Sequence, residues 1–356
     1  MSRLRWIDVA RGIGIVLVVA GHSFAADGMA NQIINAFHMP LFFVIAGYIF
    51  GLTERGDAPV TRTLGSGVRR LLLPYLGTGV IAYLYWLFVL RFQTGDANSP
   101  LVILGILSTT FAYGASEIVR QLPSIGPVGV LWFLPALFCA QAIFWLLLRL
   151  RRKPVVLWVA TVVVSGLGMY AGQRFFMPWS LDIALGVQIF LLVGWEAQRR
   201  RVFDVGLRLW QGLLLFAVFV ADVYAGGLSL HDRQWGVLPL SILGALAGCW
   251  LVFDLSKRLA GAPWLGRALS YLGTVSLVIL CYHTMDTGFF HWDWIKPISF
   301  LFVPGWRLFA LKMSFSVVIA FLVTTLPGLR WVYGYRKPKS RGRVVQPAQP
   351  AATEVE

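Results

Sequence analysis

An aspartate, an arginine and a histidine interrupt an otherwise apolar stretch near the N-terminus, WIDVARGIGIVLVVAGH, which runs from Trp6 to His22. An ionisable side chain inside a membrane costs about 3 kcal/mol on insertion scales, so three in one span point to function. On a helix turning about 100° per residue, Arg11 and His22 fall within about 20° of one face, with Asp8 one turn further back and Ile15 and Val18 between them. The rise of about 1.5 Å per residue separates Arg11 from His22 by roughly 16–17 Å, too far for a hydrogen bond and suited to a stretched ligand. His22, between Gly21 and Ser23, has the chemistry of a general base on a hydroxyl. Its competing role is a structural bond to a neighbouring helix. Arg11 suits a ligand's anionic part or a side chain snorkelling to headgroups. Asp8 suits the positive end of the helix dipole, a pair with Arg11 at i,i+3, or the site itself.

Other candidates lie further on. His38 and Gly47 occur in FHMPLFFVIAGYIF, where a hairpin of two spans places His38 on the same side of the membrane as His22; Gly47 reads as a packing residue. VRRLLLPY carries Arg69 and Arg70 at the end of a basic loop. They serve either topology or a clamp on phosphates, which guanidinium groups bind bidentately. In CYHTMDTGFF, His283 and Asp286 stand at i,i+3 as cavity-facing partners or a satisfied polar pair. Trp132, in LWFLPALF, reads as lining the bundle wall. Cys139, Cys249 and Cys281 have neither CxxC spacing nor clustered histidines, so they are expected to be apolar fillers and no metal site is expected.

The elements that must position these residues are membrane helices. Hydrophobic residues make up 58% of the chain and charged ones 13%, with a mean hydropathy of +0.71, well outside soluble composition. The fold class expected is all-α, a polytopic membrane bundle of about ten helices at residues 6–26, 31–52, 71–91, 128–149, 155–172, 180–198, 207–225, 236–255, 271–290 and 306–326. Arg3 and Arg5 before the first run give a signal-peptide look, but Asp8 and Arg11 inside it favour a retained helix. With the N-terminus inside, 23 of the 31 basic residues fall in inner segments and 5 in outer ones, so both termini are expected to be cytoplasmic. This distribution also accounts for the net charge of +15 without nucleic acid as a partner. Residues 92–127 read as irregular, with an interfacial helix at 101–112 over the outer mouth. Residues 1–335 read as one membrane domain and 336–356 as a disordered cytoplasmic tail whose basic start touches membrane lipid.

These blocks resemble the integral-membrane acyltransferase-3 family, and within it the fucose 4-O-acetylase-like group that includes exopolysaccharide O-acetyltransferases of the xanthan type. The family's Arg-x10-His signature is Arg11 to His22, and FHMPLFFVIAG, RRLLLPY, LWFLPALF and YHT follow in family order. An Arg-x-x-Arg pattern found in some O-antigen acetylases is not evident, Arg69 and Arg70 being adjacent. The resemblance implies a bacterial inner-membrane enzyme that moves acetyl from cytoplasmic acetyl-CoA to a sugar hydroxyl of an exopolysaccharide or lipid-linked oligosaccharide. Arg69, Arg70 and Arg11 would hold the donor; His22, with Arg11, Asp8 and His38, would do the chemistry; His283, Asp286 and Trp132 would meet the acceptor. Two other classes compete. A transporter or flippase would suit ten spans with buried His and Arg, though the sequence shows neither an internal repeat nor an interrupted mid-membrane helix pair. A non-catalytic subunit of polysaccharide assembly machinery would leave the membrane imidazoles without use.

Overall fold

The computed structural model describes residues 4–24, 28–54, 56, 58–94, 99–113, 129–288 and 305–335. Apart from one isolated bridge between Ser229 and Gln234, these form helices and turns. Each of the ten expected apolar runs is helical over most of its described residues. They comprise α1 (Arg5–Gly21), α2 (Met29–Leu52), α3 (Val60–Val89), α5 (Gly129–Leu150), α6 (Pro154–Gly172), the pair α7 (Pro178–Gly186) and α8 (Gln188–Arg199), α9 (Leu209–Tyr224), α10 (Leu240–Ala260), α11 (Leu265–Gly288) and α12 (Trp306–Thr325). A helix α4 (Pro100–Tyr113) and a last short turn α13 (Pro327–Val332) complete the list. Seven of these helices are long and apolar enough to cross a membrane, or eight with the bent pair, against the ten expected. The shortfall lies in α1, with 17 residues, and α9, with 16.

Helix α1 is central, packed against α11, α2, α10 and α12. Its approach to α11 runs through glycines: a Cβ on Gly12 would strike the main chain of Leu269, and one on Gly273 the carbonyl of Asp8. In lipid the hydrophobic drive between helices is absent, and small residues that let backbones meet replace it. The same device joins α2 to α8, where Gly47 meets Leu191 and Gly194 meets Val44. Gly47 is therefore a packing residue, as its sequence context suggests.

Three expectations are corrected. First, α7 and α8 bend by 55° at Val187, so an interrupted helix pair does exist. Its loosened backbone is served by side chains: Gln188 Nε2 donates to the carbonyls of Ala184 (2.6 Å) and Ala140 (3.2 Å), and Ser165 Oγ accepts from the Ile189 amide, as membrane depth requires. Second, Arg69 and Arg70 are not in a loop. They sit in a π-helical turn, Val68–Leu72, inside α3; Pro74, just beyond, has no N–H to donate, and a widened turn accommodates it. Third, α4 is not an interfacial cover. It runs antiparallel along α3, with Tyr83 Oη donating to Pro100 O (3.2 Å) at one end and Tyr75 Oη to Phe111 O (2.7 Å) at the other. Ala82, Trp86, Ile103 and Leu107 are buried between them. The tail, 336–356, lies outside the described residues.

Candidate active site

The C-terminal end of α1 is tied down by groups remote in sequence. A helix leaves its last carbonyls without partners. Here Ser23 Oγ returns to Val19 O (2.6 Å), and Lys312 Nζ, on α12, donates to His22 O (3.1 Å). The Gly305 amide, which opens α12, donates to Ser23 O (2.8 Å). The buried Lys312 ammonium thus stands at the negative end of the α1 dipole. His22, the residue so held, is exposed on its open side.

Around His22 the structure gathers imidazoles. The ring of His283, fully buried on α11, lies with its centroid 5.3 Å from that of His22. His38, His231 and Lys312 are also near enough to interact electrostatically with His22. His38 is buried on α2 and its Nδ1 meets Ile34 O at 2.8 Å. A carbonyl only accepts, so Nδ1 carries the hydrogen, and in the neutral ring Nε2 is left as acceptor.

Lining this end, Trp132 closes a 3₁₀ turn (Gly129–Trp132) that packs on α11. Its buried ring lies 6.2 Å from that of His231. His231 belongs to the connection between α9 and α10, where its Nδ1 meets Asp232 Oδ1 at 3.0 Å and Ser229 Oγ donates to Asp232 Oδ2 at 2.5 Å. The bond from His231 chiefly, with that from Ser229, holds the Asp232 carboxyl down at about 2. Two residues on, buried Arg233 pairs through Nε with Asp182 Oδ2 at 2.5 Å, stacks 4.3 Å over Phe176 and donates from Nη1 to His231 O. The connection is thereby fixed to α7.

The structure therefore brings His22, His283, His38 and Trp132 to one end of the bundle. Arg11 is half-buried and Asp8 buried towards the other end of α1. Between Arg11 and His22, Ile15 and Val18 are each 1% exposed, so the stripe is open at its ends and packed in its middle. Arg69 and Arg70 are exposed, and the main chain of Arg69 lies near Gly334 in the last described turn. Asp286 falls in α11, but its side chain lies outside the described residues. His231 and Lys312 are the additions. A reading confined to spans passes over a histidine in a connection, although an adjacent His-Asp pair was a legible signal; Lys312 was legible as a charge within a span. Among the described residues no three of His, Cys, Asp and Glu are arranged to hold a metal ion.

No curated protein and no solved structure matches this chain. A family model described as an acyltransferase domain does, over residues 4–325. That match takes in α1 through α12, and with it every residue of the imidazole cluster. The chain is a multi-pass membrane acyltransferase and belongs to the acyltransferase-3 family.

Proposed function

We propose that the enzyme is an O-acetyltransferase of the fucose 4-O-acetylase-like, xanthan-type group. It takes acetyl from cytoplasmic acetyl-CoA and delivers it to a sugar hydroxyl of an exopolysaccharide or lipid-linked glycan across a bacterial inner membrane. The observation that carries this reading is the exposed imidazole of His22, backed by His283 at 5.3 Å, on a span whose opposite end bears Arg11. In the orientation favoured by the basic residues, that end and the exposed guanidinium groups of Arg62, Arg69 and Arg70 face the cytoplasm. There they suit the phosphates of CoA. His22 accepts the proton of the acceptor hydroxyl as its oxygen attacks the thioester carbonyl; the C–S bond breaks and the proton passes to the departing thiolate. His38 and His283 keep this imidazole in place, and Asp286 and Trp132 border the acceptor.

The test is transfer of radiolabelled acetyl from acetyl-CoA to a crude lipid-linked glycan fraction by the purified protein in liposomes. Replacing His22 by Ala is expected to lower the rate by about 10²–10⁴-fold. Equal labelling by both proteins would remove His22 from the chemistry. A glycan flippase is the second reading, favoured by the 55° break between α7 and α8. Transporters commonly carry such breaks in two related halves, and this sequence has no repeat. No label from folded wild type, with glycan translocation present, would favour it.

A further inference from the structure

The connection between α9 and α10 is built more firmly than a link between two spans needs. Its backbone closes on itself through Ser229 and Gln234, whose amides and carbonyls exchange two bonds of 2.9 Å. Leu228, Leu230, Arg233 and Trp235 turn inward and are buried, while the His231 and Asp232 side chains, 46% and 47% exposed, remain outside. With Nδ1 turned to the Asp232 carboxylate, the imidazole directs Nε2 away from that bond as an acceptor. Asp232 keeps lone pairs beyond those used by His231 and Ser229. The buried ring of Trp132 packs behind the imidazole, and His22 is within electrostatic range.

We propose that His231 and Asp232 form a subsite for a neutral, polyhydroxylated acceptor, receiving hydrogen bonds from hydroxyls other than the one that is acylated. This inference rests on the acetyl-transfer reading above. Two fixed acceptors side by side on an exposed turn match a sugar, whose neighbouring hydroxyls donate. The charged groups around the pair argue against an anion. Asp232 is negative, and the nearest guanidinium, Arg233, is already engaged by Asp182 and by the His231 carbonyl. Among the described residues, His22 and Trp132 also lie near His231. The two residues position the acceptor and take no proton from it, which separates their role from that of His22.

The test is steady-state transfer from labelled acetyl-CoA to increasing amounts of lipid-linked glycan extracted from the same cells' membranes, for wild type, His231→Ala and Asp232→Asn. Both side chains are half-exposed, and a matched elution profile in detergent shows that each variant is folded. For His231→Ala the acceptor KM should rise about tenfold, with kcat within about threefold of wild type and the acetyl-CoA KM unchanged. Asp232→Asn should move in the same direction by less, because the imidazole remains but loses its orientation. An unchanged acceptor KM, or a fall confined to kcat, overturns the subsite while leaving acetyl transfer standing. A folded wild type that labels no glycan overturns both.

Discussion

Lys312 donates from Nζ to the main-chain carbonyl of His22 at 3.1 Å, across 290 residues of sequence. A buried ammonium is costly unless its hydrogens are used, so the pair fixes the end of α1 against α12. Replacement of Lys312 by Met removes this hold on the residue that bears the proposed base. A displacement of about 1 Å at such a group can cost on the order of 10²-fold in rate. The expected result is a loss of at least about tenfold in acetyl transfer, with Lys312→Arg recovering part of it. Initial rates on folded protein in liposomes provide the check.

The crossing of α1 and α11 predicts a stability effect without any catalytic group. Gly273→Val would drive a branched side chain into the carbonyl of Asp8, and overpacking of this kind costs about 1–3 kcal/mol or more. Gly212, on α9, has nothing within 4 Å of its Cβ position, so Gly212→Ala should be neutral or slightly stabilising. Thermal unfolding in detergent should therefore show a lowered midpoint for the first variant alone.

Breaking the buried pair between Arg233 and Asp182 leaves one charge uncompensated, and such single changes typically cost about 3–5 kcal/mol. Arg233→Met and Asp182→Leu should each lower the thermal midpoint. The double variant should recover most of the loss, because two apolar side chains of similar size need no counter-charge. A double-mutant cycle read by thermal midpoint measures the recovery.

Asp232 gives a signed pH dependence. Its carboxyl, held down at about 2 chiefly by the bond from His231, is more acidic folded than unfolded. The stabilisation it provides is therefore complete above the ordinary carboxylate range and is lost as pH falls from about 4 through about 2. Asp232→Asn lacks this contribution. The gap in thermal midpoint between wild type and variant should be constant above about pH 5, narrow from about pH 4 and close only below about pH 2.

How far the sequence foretold this arrangement depends on the kind of signal each part carries. Asp8, Arg11 and His22 were legible because charge inside an apolar helix is rare, and the α1 stripe follows from helical period alone. The stretch before Arg69 reads as a basic loop, yet it is helical, with Thr63 and Gly67 buried and Gly67 beneath the ring of Phe138. The break at Val187 has no proline to announce it. It depends on Gln188 and Ser165 meeting carbonyls and amides of other turns and helices, and such meetings are tertiary. His231 escaped for a related reason: its importance lies in proximity to Trp132 and His22, which no local pattern encodes.

The union of the first helix with the last two has a biosynthetic consequence. Helices enter the bilayer in the order in which they are synthesised, so α1 must wait, with Asp8 and Arg11 already committed, until α11 supplies Gly273 and His283 and α12 supplies Lys312. The imidazole cluster is thus among the latest features of the nascent chain to mature. A ribosome-stalled chain ending before α11 should hold α1 in a provisional lodging against α2 and α10, available to insertion chaperones and incapable of turnover.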